Sequence, residues 1–353
     1  MKIENKNVYA FSQKTRFGYG EVFFRKNYLR FSFRKCSTIL LCHAAKSTSR
    51  TPNLLFSFRF AILLHQRKKL KFSTIISQMC YNLLMKKIAI ITGASSGMGK
   101  DFALQISKDY QYLCIDEIWL VARRIEKLNE LAEEIRKIAG APTPRAVELD
   151  ISGTDGAKRF ASILEQEKLS GDFEITVLVN NAGFGTYGPF EETPVEKEMQ
   201  MIETNCTALT GITGYSLPYM NENSYIINTA SMAAFAPLGN FVVYGATKSF
   251  VLSFSLALAA ELKPRGIHVC ALCPGSVSTE FANVASNGAR KEVLHGISSE
   301  KTVRHCLKKA FSGKRTAIMR LKWKFQALGS KFADAYTVAD FTFKHSKRPY
   351  KKD

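Results

Sequence analysis

The chain has 353 residues, a formal net charge of +20 and eight cysteines, long enough for one large domain with a sizeable core. The cysteines lack the spacing of a disulfide framework and the six histidines form no ligand pair, which argues against a disulfide scaffold and a metal site. Charge is uneven: residues 1–84 hold 16 Lys and Arg against only Glu4 and Glu21, a net of +14, which leaves +6 for the rest.

Residues 1–84 show no clear helical or strand period, with phenylalanine and arginine mixed in runs such as Arg30-Phe31-Ser32-Phe33-Arg34. The longest apolar stretch, 54–64, is broken by Arg59, too short and too charged for a spanning helix, and too far from the start for a secretory signal. Arginine, serine and few acids fit an organelle transit peptide; a basic tail touching membrane or nucleic acid is a second reading.

From residue 85 apolar strand-like runs alternate with helical patterns. The first, 87–92, passes straight into Gly93-Ala94-Ser95-Ser96-Gly97-Met98-Gly99 and then a helix, the context a dinucleotide fingerprint needs. Gly93 allows the tight turn, Gly97 lets backbone approach a pyrophosphate, and Gly99 lets the helix pack closely on the sheet. A second strand at 118–122 ends in Arg123-Arg124, where an NAD enzyme would place an acid for the ribose hydroxyls. This predicts NADP(H) in preference to NAD, with Arg123 as the main 2′-phosphate contact and Arg124 as helper; a solvated charge pair opening the helix at 125–138 is the competing reading. A third strand, 145–149, leads to Asp150-Ile151, where Asp150 could equally cap the next helix. A fourth, 175–179, leads to Asn180-Asn181-Ala182-Gly183 and the glycine-rich, aromatic stretch 184–190, either a substrate wall or a packed turn.

A long helix is expected over 195–217, a strand at 225–229 followed by Ser231, and a second long helix over 241–262. That helix carries Tyr244 and Lys248, four residues apart and so on one face. A nearby cation favours phenolate and lowers a phenol's pKa from near 10, which makes a tyrosine a usable acid and base. The strand at 268–272 holds Cys270, and Cys273 follows it; three apart, their side chains take opposite faces, more like two small hydrophobes than a redox pair. Pro274-Gly275-Ser276-Val277-Ser278-Thr279 follows, then a small and polar stretch, 280–300, expected to form a mobile lid. A short strand is possible at 316–319. The tail, with Arg320-Leu321-Lys322-Trp323-Lys324-Phe325, reads as a solvated terminal helix with a frayed end, or a basic amphipathic helix for anionic lipid or an acidic carrier. The alternation predicts an α/β, doubly wound parallel sheet, Rossmann-like and single-domain, of about seven strands with helices on both faces.

Thr92-Gly93-x-x-x-Gly97-x-Gly99, Asn180-Asn181-Ala182-Gly183, Ser231, Tyr244-x-x-x-Lys248 and Pro274-Gly275 stand in the order and spacing of the short-chain dehydrogenase/reductases, which the chain resembles from about 86 to about 320. The resemblance implies a cofactor site from Gly93, Ser95, Ser96, Gly97, Met98, Gly99, Arg123, Arg124, Asp150, Ile151, Asn181, Ala182, Gly183, Pro274, Gly275, Val277 and Thr279, together with Tyr244 and Lys248. Asp150 would hold the adenine amino group, and Val277 and Thr279 the carboxamide. It implies a catalytic tetrad of Asn205, Ser231, Tyr244 and Lys248: Tyr244 donates the proton, Ser231 orients the carbonyl oxygen, Lys248 lowers the tyrosine pKa and holds the ribose, and Asn205 holds a relay water. Met85-Lys86-Lys87-Ile88-Ala89-Ile90 looks like a natural beginning for such a chain, which favours reading 1–84 as disordered or the product of an early start codon. The expected domains are thus 1–84, the catalytic domain 85–320 and a basic tail 321–353.

The resemblance implies an NADP(H)-dependent oxidoreductase for a small carbonyl or alcohol substrate, paired as a homodimer or homotetramer through the long helices. A 3-oxoacyl-thioester reductase and a non-catalytic nucleotide-sensing regulator are the alternatives. Cysteine usage points to a reducing, cytoplasmic location, with no nucleic-acid partner and no stable membrane insertion expected.

Overall fold

A computed structural model describes residues 8–15, 18–25, 28–33, 42–43, 85–291 and 296–351. The chain divides into two units, Met1–Met85 and Lys86–Asp353. In the first, β1 (Val8–Thr15), β2 (Gly18–Arg25), β3 (Tyr28–Phe33) and β4 (Cys42–His43) pair antiparallel in sequence order. The sequence shows no strand period there, but ladder pairing uses backbone groups that every residue carries. The apolar stretch 54–64 lies outside the described residues.

The second unit holds a seven-stranded parallel sheet. Its strands are β5 (Lys86–Thr92), β6 (Glu117–Ala122), β7 (Thr143–Glu148), β8 (Phe173–Asn180), β9 (Tyr225–Thr229), β10 (His268–Leu272) and β13 (Thr316–Ala317). They lie in the order β13-β10-β9-β8-β5-β6-β7. The predicted strands are all present, each within two residues of its expected limits.

β5 shows why the runs are continuously apolar. Ala89 and Ile91 face a core with Phe102 and Ile106 of α1 (Gly97–Asp109), Leu128 and Leu131 of α2 (Ile125–Arg136), and Val303 and Leu307 of a helix near the C-terminus. Ile88 and Ile90 face the opposite core, with Phe160 and Leu164 of α3 (Gly153–Ser170) and with the long helices below. A strand covered on both faces has no side left for polar residues.

The predicted helix over 195–217 is interrupted: α4 (Val195–Ile202) and α5 (Leu209–Ser216) are joined by a π-helical turn, Glu203–Ala208. α6 (Val242–Glu261) is continuous. After β10, β11 (Val277–Ser278) pairs with β12 (Ile297–Ser298), with the short α7 (Phe281–Ala285) between them. α8 (Ser299–Phe311), which carries Val303 and Leu307, α9 (Leu321–Gly329) and α10 (Ala335–His345) complete the chain. Strand order reverses between β5 and β8, so the crevice beyond their carboxyl ends is where a ligand enters such a sheet.

The expected frayed end is replaced by a strap. Thr342 Oγ1 accepts from the Gly239 backbone N–H at 2.9 Å, Asn240 Nδ2 donates to the Phe343 carbonyl at 2.9 Å, and the Lys351 N–H donates to the Ser286 carbonyl at 3.0 Å. Backbone groups at the start of α6 and end of α7 thereby find partners in the tail.

Candidate active site

The turn after β5 needs its glycines for two reasons. Gly93 and Gly97 have φ of +65° and +52°, the left-handed region that favours glycine. Gly99 is demanded by proximity, since a Cβ there would lie 2.0 Å from the Gly93 carbonyl oxygen. Thr92 ties this turn to β8: its hydroxyl donates to the Val179 carbonyl and accepts from the Asn181 and Ala182 backbone N–H groups at 3.0 and 3.1 Å. Asn181 Nδ2 donates to the Thr92 and Gly93 carbonyls. The Asn181 amide thus braces the turn, so a contact of Asn181 with a cofactor would be made by its backbone. Asn180 is buried and donates to Thr213 and Asn228, a structural role. Ile151 is buried in the core on the α3 side of the sheet, and Met98 is half-buried against the core on the opposite side.

The two arginines divide the work differently from the sequence expectation. Arg124, not Arg123, spans the glycine-rich turn, donating to Ser95 Oγ at 3.1 Å and Ser96 Oγ at 2.7 Å and pairing with Glu280 at 3.2 Å. Lys127 pairs with the same carboxylate at 3.3 Å. Arg123 is exposed, and its charge acts on Asp150. Burial alone would raise the Asp150 carboxyl; hydrogen bonds from Ser152, then the charges of Arg123 and Arg159, bring it below its ordinary value. Its Oδ1 accepts from the Ser152 N–H at 3.0 Å, just ahead of α3, whose N-cap is Ser152 and not Asp150.

Ser231 begins a 3₁₀ turn after β9, its hydroxyl accepting from the Ala233 N–H at 3.1 Å. That oxygen also hydrogen-bonds the Tyr244 phenol. Tyr244 is 7% exposed, stacked 4.1 Å from the Phe241 ring and 5.3 Å from that of Phe281. Lys248 is 5% exposed; its Nζ donates to the Thr229 carbonyl at 2.7 Å and lies 5.7 Å from the centre of the Tyr244 ring. Burial dominates both titrations: it pushes Tyr244 well above its ordinary value, opposed by the Ser231 bond, and pulls Lys248 down to about 8. Burial is the largest influence on each group, raising the phenol and lowering the ammonium, and acts against the depression of Tyr244 that the resemblance implies for Lys248.

Asn205 sits on the π-turn and is 1% exposed. Its Oδ1 accepts from the Phe184 N–H at 3.1 Å, while Nδ2 donates to the Phe184 carbonyl at 2.9 Å and to Thr247 Oγ1 at 3.1 Å. The side chain is thus committed to backbone and helix; any water it helps to hold must use another atom. π-turns recur at functional sites because they shift helix backbone groups out of register.

The turn after β10 closes over the glycine-rich one. Thr279 Cγ2 lies 3.2 Å from where a Cβ on Gly97 would stand, and the Pro274 carbonyl accepts from the Met232 N–H. Gly275 is required by packing, since its Cβ would lie 2.0 Å from the Trp323 indole. Val277 is buried in β11. Stretch 184–190 is packed against α6 and α7: the Tyr187 ring meets Phe241 edge-on at 5.0 Å, and its N–H donates to the Ala285 carbonyl at the end of α7. Sequence reading missed Glu280, Lys127, Phe241, Phe281, Arg290 and Arg348, none of which carries a local motif.

The sequence model of the family described as short chain dehydrogenase matches residues 87–289. The chain is 34% identical over 210 residues to the serine 3-dehydrogenase of Rhizobium radiobacter, covering 58% of this chain and 77% of that protein. It is 30% identical over 206 residues to the very-long-chain 3-oxoacyl-CoA reductase of Pyrenophora tritici-repentis, covering 57% of this chain and 58% of that protein. In structure it is similar to a short-chain dehydrogenase from Sphingobium yanoikuyae in complex with NADPH, with a TM-score of 0.59 and 28% identity over 70% of this chain and 93% of that one.

Proposed function

The chain belongs to the short-chain dehydrogenase family and is an NAD(P)-dependent oxidoreductase acting on CH-OH groups; from that premise we propose that it works with NADP(H) on a small ketone, aldehyde or secondary alcohol, with Tyr244 as acid and base. The observation that carries this reading is the convergence of Ser231, Tyr244 and Lys248 in one buried cluster beside a turn that a dinucleotide fits. Left-handed φ at Gly93 and Gly97 opens backbone to a pyrophosphate, and a Cβ at either would fill that cradle. Gly93, Gly97, Ala182, Gly183 and Thr279 would line the cofactor, with Arg124 and Lys127 toward a 2′-phosphate. When bound, the nicotinamide supplies or accepts the hydride.

The chain's own residues handle the oxygen and the proton. Tyr244, held protonated by burial, donates to the developing alkoxide in reduction and takes the proton back in oxidation. Ser231, already bonded to the phenol, offers its hydroxyl to the same oxygen and so orients it. Lys248 stands on the same helix face, its Nζ 5.7 Å from the ring centre, near enough for its charge to stabilise a transient phenolate. Apolar residues exposed on α4 and α6, among them Met199, Val242 and Phe250, support pairing through the long helices, and the free cysteines among the described residues support a reducing, cytoplasmic compartment.

An NADPH-oxidation screen over aldehydes, ketones, steroids and 3-oxoacyl thioesters, run with wild type and Tyr244→Phe, tests the reading. Substrate-dependent oxidation that the variant loses supports it. No oxidation above the variant across the panel points instead to a nucleotide-sensing protein.

A further inference from the structure

Behind the aromatic rings that pack on Tyr244 stand two guanidinium groups to which the proposed reaction gives no role. Arg348, in the strap, is half-buried; its Nη1 donates to the Gly239 carbonyl at 3.0 Å and its guanidinium carbon lies 4.8 Å from the Phe241 ring centre. Phe241 is the ring stacked on Tyr244. Arg290, beyond the lid helix, places its guanidinium carbon 6.0 Å from the Tyr187 ring centre, and Tyr187 contacts Phe241 in turn. Both arginine charges act on the Tyr187 phenol, and Tyr187 acts on Tyr244. The five residues, Arg348, Arg290, Tyr187, Phe241 and Tyr244, are therefore one cluster, with the two arginines on its outer side.

Neither arginine forms an ion pair with a carboxylate among the described residues, and Arg348, unlike the exposed arginines that also lack one, is half-buried. Burial pulls Arg348 below its ordinary value, and the charge of Arg290 adds to this. Two guanidinium groups that repel one another, one half-buried and most of its N–H donors uncommitted, form an arrangement that an anion between them relieves. Both also lie outside residues 87–289, the segment matched by the family, so family membership does not supply them.

We propose that Arg348 and Arg290 form a carboxylate-binding subsite beside Tyr244, and that the substrate is a short hydroxy or oxo acid. The inference rests on the reading of Tyr244 as the catalytic acid. Planar guanidinium forks match a carboxylate better than any neutral acceptor, which turns the charge into a selection among alcohols. The rings are closed on Gly185: Tyr244, Phe281 and Phe241 stand 2.8, 2.9 and 3.1 Å from where a Cβ there would lie. Substrate entry therefore requires α7 and the strap to part, and the carboxylate then draws Arg290 of the lid side toward Arg348 of the strap.

The test uses the full chain with NADP⁺ and matched pairs, each a short hydroxy acid and its methyl ester. The expected result is a kcat/KM for the acid at least about 10-fold above that for its ester, the size of one or two charge-assisted hydrogen bonds. Arg348→Gln shrinks the acid-to-ester ratio about 10- to 100-fold, mainly through KM for the acid, and Arg290→Gln shrinks it less. Equal use of acid and ester by wild type overturns the proposal. So does an Arg348→Gln variant that slows both in the same proportion, which would mark Arg348 as a strap anchor only. Should Arg348→Gln fail to fold, the wild-type ratio and Arg290→Gln, at an exposed position, decide the matter. If no pair is oxidised above Tyr244→Phe while the carbonyl panel gives NADPH oxidation, the subsite is overturned and the reading of Tyr244 stands; if that panel is silent too, both fall.

Discussion

Lys248→Met removes a charge from a buried site while keeping the length of the side chain. Burial moves the Lys248 pKa from its ordinary 10.5 to about 8. At about 1.4 kcal/mol per unit, keeping the ammonium in the fold costs about 3 kcal/mol at pH 7. The bond from Nζ to the Thr229 carbonyl at 2.7 Å offsets part of this, about 1–2 kcal/mol, and the variant loses it. The net expectation is a variant that is catalytically dead yet about 1–2 kcal/mol more stable at pH 7, a rise in Tm of about 2–6 °C. The pH dependence carries the sign: the folded pKa lies below the unfolded one, so the wild-type penalty is complete below pH 8 and fades as pH rises from about 8 to 10.5. The stability gap between variant and wild type should close across that window. Urea unfolding of both proteins at pH steps from 7 to 10 measures it. A variant less stable than wild type at pH 7, or a gap that stays constant with pH, would refute the claim that desolvation dominates at Lys248.

Arg124→Asp should reduce the NADP-to-NAD ratio of kcat/KM about 10- to 100-fold, and more than Arg123→Asp does, because Arg124 is the arginine that lies over the glycine-rich turn; equal effects from both would undo that assignment. Glu280→Gln should tighten NADPH binding several-fold, measured by fluorescence titration, since the carboxylate that holds Arg124 and Lys127 competes with a 2′-phosphate; unchanged or weaker binding would show that Glu280 does not compete. Gly275→Ala should cost about 1–3 kcal/mol in unfolding experiments, since a Cβ would overlap the Trp323 ring and force α9 outward; a neutral result would mean that α9 shifts freely. Size-exclusion chromatography with light scattering should find at least a dimer that Phe250→Glu converts to monomer, and a monomeric wild type would exclude pairing through α6.

Much of the site was legible because its parts are local. Gly93, Gly97 and Gly99 announce a turn through spacing alone, and Tyr244 and Lys248 share a helix face by period alone. Asn181 shows the limit: its place in the chain was right, yet its amide turns back to the Thr92 and Gly93 carbonyls, a choice set by β5 lying beside β8. Arg123 and Arg124 show the same limit at one residue's resolution. Successive side chains leaving a strand point to opposite sides, and which one meets the turn depends on where α2 begins. The π-turn at Asn205 has no sequence period of its own, so the helix over 195–217 read as unbroken.

By itself the sequence determined the order of strands and helices, the two-faced burial of the sheet, the dinucleotide turn and the catalytic helix, because each follows from periodicity or turn chemistry within a few residues. The tertiary structure decided which distant groups meet. Arg124 and Glu280 are 156 residues apart, and Arg348 and Gly239 are 109 apart. No local pattern encodes such pairs; they arise because every βα unit ends at the same edge of the sheet, which gathers loops from the whole chain around one crevice.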